Sequence, residues 1–390
     1  MKILAVSVRV PEDGKKGDQV LSFHRLSYLS RKHTIKLICF GSPNADADAL
    51  SKLEALGISV QLVKWNKFVA GFNVLTAVFD ALLPFQCALF QSGPYKRAVA
   101  QELALFKPDA VYAVLIRSFV NLPPSGLPLF VDMVDSMGLN FSRRVALERG
   151  LKRLAFDMES QRVSAYEVYV AQQATLSYVV SKVDQKFIGH EKVKALPLGI
   201  NGHEFYKQSE GSLESSIVFT GNMNYKPNVD AVIWFYGQCW SKLKLAVPAV
   251  RWVVAGSNPT AEVLALSADE AITVTGRVPS LAAVINTARM SIAPMQSGSG
   301  MQFKILEAMA CGVPVVTSSL GLGDIAAKPG QEVVLADTAD NFVQSIIDLL
   351  GSPDSCQAIG EAGLRYVNVN HTWDALNADF EQSTFATLYK

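Results

Sequence analysis

Short apolar runs alternate with segments of helical periodicity through most of the chain, and this alternation occurs twice. In the first half the predicted strands are KILAVSV (2–8), TIKLICF (34–40), SVQLVKW (59–65), AVYAVLI (110–116), PLFVDMV (128–134) and TLSYVVS (175–181). In the second half they are SIVFTG (216–221), RWVVAG (251–256), AITVTG (271–276), MSIAP (290–294), VPVVTS (313–318) and EVVLA (332–336). Apolar strands joined by helices are typical of parallel sheets covered on both faces. The pattern predicts an α/β fold of two Rossmann-like halves.

The join between these halves is predicted near VKALPLGINGHEFY (193–206), where apolar character gives way to glycine, asparagine and other polar residues. A length of 390 residues is enough for two domains. We therefore predict an N-terminal domain at 1–192, a C-terminal domain at 193–365, and a last helical segment at 366–390 that packs back toward the N-terminal domain.

One apolar segment, residues 68–91, has two interpretations. It carries a single charge, Asp80, and its length would allow it to span a bilayer. The polar Asn73 and Gln86 and the helix-breaking Pro84 argue against a transmembrane helix. The segment is either one or two buried helices broken at Pro84, or an apolar surface that contacts a membrane or a lipid-linked substrate.

A second segment, residues 143–153, is rich in cations. Its basic residues, with only Glu148 among them, are Arg143, Arg144, Arg149, Lys152 and Arg153. They form either a solvated helix face or a contact with anionic lipid or a pyrophosphate-linked acceptor.

Composition excludes several classes of protein. With 49% hydrophobic and 18% charged residues, the chain is not disordered. Thirty-six basic and 35 acidic residues leave no basic surplus, so no nucleic-acid partner is predicted. The five cysteines contain no CxxC pair and the five histidines no HxxxH pair, so neither a disulfide framework nor a metal site is predicted. The cysteine usage predicts a reduced, cytoplasmic protein, either free or peripheral on the cytoplasmic membrane face. The N-terminal apolar run is too short for a signal sequence and is predicted to form a buried first strand.

The segment that carries candidate chemistry is APMQSGSGMQFKILEAMACGVPVV (293–316). It is predicted as a strand, a loop of small residues, a helix and a further strand. A loop of small residues that opens a helix presents backbone N–H groups to an anion. Lys304 lies in the early turns of that helix, and Glu307, three residues on, shares its face. This arrangement suits a nucleotide, with phosphates on the loop and lysine and ribose hydroxyls on the carboxylate. The alternative is a surface Lys304–Glu307 pair after an ordinary turn.

Two motifs connect this segment with a known family. Residues 307–316, EAMACGVPVV, match every specified position of the E-A-M-A-x-G-x-P-V-V pattern of family 4 glycosyltransferases of the GT-B fold. IVFTGNMNYKPNVDAVIWF (217–235) resembles the signature of a subgroup linked to exopolysaccharide and exosortase systems. The resemblance implies two Rossmann-like domains whose parallel sheets face each other across a cleft, with the donor on the second domain and the acceptor on the first.

The same resemblance implies roles for individual residues. Lys304 would bind the diphosphate and act in catalysis, and Glu307 would bind the ribose hydroxyls. The other implied donor-binding residues are Ser299, Gly300, Met301, Gly221, Asn222, Lys226, Arg277, Val278 and Gly17. Ser299 stands where the family often has a glutamate, so recognition of a sugar hydroxyl by that acid is lost.

A second catalytic candidate lies in the first half. FVDMVDS (130–136) ends a predicted buried strand with two carboxylates, and many relatives place a histidine near the second one. Asp135 is therefore expected to touch the donor sugar or the acceptor hydroxyl as an acid, a base or an orienting group. The alternative is an aspartate that caps the following helix.

Taken with these features, the resemblance implies a retaining, hexosyl-type glycosyltransferase. It would move a sugar from a UDP- or GDP-linked donor to a hydroxyl of a glycan or lipid-linked acceptor, in surface or exopolysaccharide assembly. No metal or other cofactor is expected, because the helix end and Lys304 neutralise the diphosphate. A GT-B nucleotide-sugar epimerase and a non-catalytic sugar-nucleotide binder remain alternatives. An oxidoreductase is disfavoured because no GxGxxG follows the first strand.

Overall fold

The computed structural model describes residues 1–13, 15, 17–145, 148–208, 215–297 and 301–385. The chain divides into two compact units: the first comprises residues 1–198 and the chain from 376 onward, and the second comprises residues 199–375. Each unit contains one parallel β-sheet flanked by helices. The prediction of two Rossmann-like α/β domains is confirmed.

The first unit is built on a seven-stranded sheet with the order β3-β2-β1-β4-β5-β6-β7. Its strands are β1 (Lys2–Ser7), β2 (Thr34–Phe40), β3 (Ser59–Val63), β4 (Ala110–Val114), β5 (Leu129–Val134), β6 (Leu176–Val179) and β7 (Val193–Ala195). Its helices are α1 (Gly17–Ser30), α2 (Ala47–Ala55), α3 (Lys67–Thr76) with a 3-10 turn at Ala77–Phe79, α4 (Phe85–Ala88), α5 (Gly93–Leu105), α6 (Ile116–Phe119), α7 (Met137–Val145), α8 (Gly150–Gln173) and α9 (Lys182–Ile188).

The second unit contains a six-stranded sheet with the order β10-β9-β8-β11-β12-β13. Its strands are β8 (Ser216–Thr220), β9 (Arg251–Ala255), β10 (Ile272–Gly276), β11 (Met290–Ala293), β12 (Val315–Thr317) and β13 (Val334–Leu335). The helices that follow along the chain are α10 (Lys226–Phe235) with a π turn at Tyr236–Trp240, α11 (Ser241–Ala246), α12 (Ala261–Leu264) with a 3-10 turn at Ala265–Ala268, α13 (Leu281–Asn286), α14 (Phe303–Ala310), α15 (Ser319–Leu322), α16 (Ala339–Gly351), α17 (Pro353–Asn370) and α18 (Trp373–Phe385).

The end of the first sheet lies beyond the predicted domain boundary at 192. Strand β7 pairs in parallel with β6, with Ser177 opposite Val193, so the first unit extends to Leu198. This strand is short and its middle residue is exposed, so its apolar pattern is weak. From Leu376 on, α18 belongs to the first unit.

Local sequence explains many element boundaries. Ser92 caps α5 by accepting a hydrogen bond from the backbone N–H of Tyr95, and Pro94 lies in the first turn. Gly189 ends α9 in the left-handed conformation, with φ of +66°. Aromatic side chains pack α10 against the second sheet, where the rings of Phe235 and Trp252 have centroids 4.9 Å apart.

The apolar segment 68–91 is buried only in part. Leu83, Pro84 and most of α4 are buried, whereas most of α3 and the 3-10 turn after it are exposed. The interpretation of this segment as buried helices therefore holds only for its second half. Within the part of the chain that the structure describes, no helix is both long enough and apolar enough to cross a membrane.

Candidate functional site

Three glycines mark the carboxyl edge of the second sheet. Gly221, Gly256 and Gly276 end the neighbouring strands β8, β9 and β10, with φ of +155°, +145° and +64°. The N–H of Gly256 donates to the carbonyl of Gly276 at 3.1 Å, and a Cβ added to Gly256 would lie 1.8 Å from the carbonyl oxygen of Gly221. This edge is therefore lined by closely packed backbone that carries no side chain at these three positions, and it is the edge at which parallel α/β sheets bind ligands.

Lys304 lies in the first turn of α14 and is only 7% exposed. Its Nζ donates to Asn228 Oδ1 at 2.8 Å and to Gln302 Oε1 at 3.1 Å, and lies 5.2 Å from the centroid of the Phe219 ring. Among the described residues no carboxylate forms an ion pair with it. Burial lowers the pKa of Lys304 to about 8, and the charge of Glu307 partly opposes this shift. A surface pair with Glu307 is thereby excluded.

Glu307 lies one turn further along α14 and is half-buried. Burial raises the pKa of this carboxyl to about 7, the charge of Lys304 lowers it, and Glu204 raises it further. Its carboxylate accepts no hydrogen bond from any residue that the structure describes. A partly desolvated acceptor of this kind is stabilised by a ligand that brings hydroxyl donors.

Asn228 connects Lys304 to the loop after β8. It is 5% exposed, and its Nδ2 donates to the carbonyl of Asn222 at 3.0 Å while its Oδ1 accepts from Lys304. Pro227, at the start of α10, precedes it. The amide thus fixes both the lysine and the backbone at the end of β8.

The other residues expected to bind the donor are placed as follows. Gly221 lies at the glycine-lined edge, and Asn222 beside it is exposed. Met301 is half-buried and packs against the core around α14. Ser299 and Gly300 lie outside the described residues.

Lys226 and the loop after β10 complete the expected set in this unit. The Lys226 side chain is 79% exposed and pairs with Asp230 at 2.8 Å. It therefore does not belong to the buried group formed by Lys304, Asn228 and Gln302. Arg277 is exposed and Val278 is half-buried, directly after Gly276.

In the first unit, Asp135 follows the end of β5 and is half-buried. Burial raises its pKa to about 6, and the charges of Asp184 and Asp132 add to this effect. The residue before it, Val134, has φ of +67°. This conformation is strained for a β-branched residue, and such strain is concentrated at functional sites.

Asp135 does not cap the helix that follows it. The N–H groups of Met137 and Gly138 donate to Glu167 Oε1 at 2.7 and 3.2 Å, and that of Leu139 donates to Ser136 Oγ at 3.1 Å. Since the start of α7 is capped by other residues, the capping role considered for Asp135 is excluded.

Asp132, the other carboxylate of this segment, is structural. Arg25 forms an ion pair with it at 2.9 Å, and both side chains are 1% exposed. Gly17, expected to approach the donor, is the exposed first residue of α1, and a Cβ there would meet nothing within 4 Å.

Most of the second unit resembles a known protein family. Residues 214–352 match the family described as Glycosyl transferases group 1. We refer to residues 214–352 as the group 1 domain because of this match. The match covers the three glycines of the glycine-lined edge, and it also covers Asn228, Lys304 and Glu307.

Several proteins are similar to this chain over almost its full length, so the similarity includes both units. Sucrose-phosphate synthase from Thermosynechococcus elongatus is 13% identical, with 100% of this chain and 99% of that chain covered and a TM-score of 0.70. Anabaena Alr3699/HepE in complex with UDP is 12% identical, with 99% and 100% covered and a TM-score of 0.68. A Klebsiella pneumoniae protein described as an uncharacterized 44.6 kDa protein in the cps region is 20% identical over 95% of this chain and 96% of its own length. The fold of this chain is GT-B, as the sequence predicts.

Within the group 1 domain, sequence reasoning missed the role of Asn228. The signal was present, because Asn228 is a polar residue on the face of α10 that also carries the buried Ala231, Val232 and Phe235. A buried amide needs hydrogen-bonding partners, but the sequence does not show which partners it meets.

Replacing Asn228 with alanine is expected to lower kcat/KM for donor turnover by about 10- to 100-fold, the effect of losing a hydrogen bond to a charged group. Without this acceptor the Lys304 ammonium is less well stabilised, so its pKa falls further and the alkaline limb of the pH–rate profile moves to lower pH. Steady-state kinetics from pH 6 to 9 measure both effects. A fall in activity with an unmoved alkaline limb would mean that Asn228 acts only by supporting the fold.

Proposed function

We propose that this protein is a retaining, hexosyl-type glycosyltransferase that moves a sugar from a nucleoside diphosphate sugar to an acceptor hydroxyl. The observation that carries the proposal is the buried Lys304 ammonium, which Asn228 holds beside Glu307 at the carboxyl edge of the second sheet. A desolvated cation without an ion-pairing carboxylate among the described residues is poised for an anion supplied by a ligand. The group 1 domain and the UDP bound to Anabaena Alr3699/HepE support a nucleotide-sugar donor.

In this proposal the protein mainly stabilises the departing diphosphate. Negative charge develops on the leaving phosphate as the bond to the anomeric carbon breaks, and the Lys304 ammonium neutralises it. The departing phosphate accepts the proton of the acceptor hydroxyl, which attacks from the same face and retains the anomeric configuration. Glu307 accepts hydrogen bonds from the ribose hydroxyls, which positions the donor. Because Lys304 supplies the counter-charge, no metal ion is required.

Asp135 is proposed to act in the first unit. With a pKa of about 6 it is mostly ionised at neutral pH and accepts a hydrogen bond from a sugar hydroxyl, which orients that hydroxyl. We further propose a role in surface or exopolysaccharide assembly, supported by the similar Klebsiella pneumoniae protein of the cps region.

The test begins with thermal unfolding of the full chain in the presence of UDP- and GDP-linked sugars. A donor present at about 100 times its Kd stabilises the protein by about 2.7 kcal/mol. The stabilising donor is then incubated with glycan and lipid-linked acceptors, and the anomeric configuration of the product is read by NMR. Conversion of the donor sugar without an acceptor would instead indicate an epimerase, and binding without turnover a non-catalytic binder.

The affinity for the donor is expected to be highest between pH 7 and 8. Lys304 is charged below its pKa of about 8, so raising the pH through this value removes the cation and weakens binding by up to about tenfold per pH unit. Glu307 gains a proton as the pH falls through about 7 and then accepts ribose hydroxyls less well. Isothermal titration calorimetry with an intact nucleotide sugar measures both limbs, because its diesterified diphosphate does not titrate in this range. Lys304→Met should abolish the alkaline limb and Glu307→Gln the acid limb; if both limbs persist in these variants, the assignment is wrong.

A further inference from the structure

The first unit exposes an unusual number of large apolar side chains on and after α3. We call them the α3 patch: Phe68, Phe72, Leu75, Val78, Phe79 and Leu82. Phe79 is 92% exposed and Phe68 is 79% exposed. Phe68, Phe72 and Leu75 are spaced four and three residues apart, so they share one face of α3. Exposed apolar side chains grouped in this way are typical of an interaction site.

A second apolar stripe lies at the start of α8. Leu151, Leu154 and Met158 are spaced three and four residues apart and are 86%, 65% and 42% exposed. Arg162, one turn beyond Met158, donates to the carbonyl oxygens of Ala77 at 2.8 Å and Leu83 at 3.3 Å.

These bonds join α8 to the chain that carries the α3 patch. At 1.5 Å per residue, Leu151 is about 16 Å along α8 from this junction. The stripe and the α3 patch therefore lie on neighbouring parts of one side of the first unit.

Exposed cations lie next to both apolar groups along the chain. The exposed basic residues at 64–67 and 143–153 are Lys64, Lys67, Arg143, Arg144, Arg149, Lys152 and Arg153. Arg144 pairs with Glu148 at 3.3 Å, whereas the other six form no ion pair with a described residue. Cations without an ion-pairing partner, together with exposed aromatic rings, are complementary to a lipid bilayer, which has anionic headgroups at its surface and apolar chains below them.

We propose that this side of the first unit docks on an anionic lipid bilayer. The aromatic and aliphatic side chains of the α3 patch and of the α8 stripe enter the interfacial region, and the cations contact lipid phosphates. A protein partner would need carboxylates for six cations and an apolar groove at matching positions. An anionic bilayer offers negative charge at its surface and an apolar interior over its whole area. The proposal concerns binding alone, so it does not depend on the proposed glycosyltransferase activity.

Vesicle flotation of the full chain tests the proposal. Wild-type protein should float with vesicles of phosphatidylcholine mixed with phosphatidylglycerol and stay in solution with phosphatidylcholine alone. The double variants Phe72→Ser/Phe79→Ser and Lys152→Glu/Arg153→Glu should each reduce the bound fraction by about tenfold or more. All four positions are exposed, so the fold should tolerate the changes; circular dichroism verifies this.

Matched controls distinguish this surface from general stickiness. Leu245→Ser changes a side chain of the second unit that is 85% exposed, and Lys52→Glu reverses an exposed charge on α2. Both should bind vesicles as the wild type does. Wild-type protein that stays in solution with anionic vesicles, or equal flotation of all variants, would overturn the proposal. Wild-type self-association that Phe72→Ser/Phe79→Ser abolishes, without vesicle binding, would assign the surface to a second copy of the chain instead.

Discussion

Lys304→Ala is expected to lower kcat/KM for sugar transfer roughly 30- to 1,000-fold, which corresponds to about 2–4 kcal/mol of transition-state stabilisation. The reason is that the ammonium is the only buried cation that the described part of this edge offers to the leaving diphosphate. The loss should fall mainly on kcat, because the charge on the leaving group grows as the bond breaks.

A matched lysine provides the control. Lys242 lies in the same unit, is 55% exposed and pairs with Asp340 at 2.6 Å, so Lys242→Ala should retain wild-type kinetics. Thermal unfolding of both variants separates chemistry from folding. Near-normal turnover of Lys304→Ala, with a native unfolding midpoint, would contradict the assigned site.

Gly256→Ala is expected to destabilise the second unit by about 3 kcal/mol or more. The added Cβ would lie 1.8 Å from the carbonyl oxygen of Gly221, which is backbone and cannot rotate away. The φ of +145° at Gly256 is also strained for any residue with a side chain. Urea unfolding followed by tryptophan fluorescence measures the effect, because Trp252 lies on the same strand.

Gly237→Ala is the control for this substitution. A Cβ at Gly237 would meet nothing within 4 Å, and this residue is exposed within a helical segment, so Gly237→Ala should leave the stability unchanged or raise it by up to about 1 kcal/mol. Equal stabilities of the two variants would contradict the close contact between Gly256 and the carbonyl oxygen of Gly221.

The candidate site residues of the second unit could be predicted only in part. Lys304 and Glu307 follow from spacing, because three residues along a helix place two side chains on one face. Their burial does not follow, since it depends on Phe219 and Asn228, which are far away in sequence. For the same reason, the sequence did not show that Lys226 pairs with Asp230 on the surface and does not lie beside Lys304.

Asp135 illustrates the same limit in the first unit. An aspartate before a helix has the pattern of a cap, and only the structure shows that Glu167 and Ser136 fill that role. Glu167 is remote along the chain and is brought there by the packing of α8.

For this protein the alternation of apolar strands and amphipathic helices determined the two parallel α/β domains, and short-range spacing determined which residues share a helix face. Both are local properties, because strand and helix periods repeat over a few residues. Tertiary structure alone decided that Lys304 is desolvated, that Asn228 holds it, and that the α3 patch faces solvent. Desolvation and exposure depend on which distant elements pack over a side chain, and no local pattern contains that information.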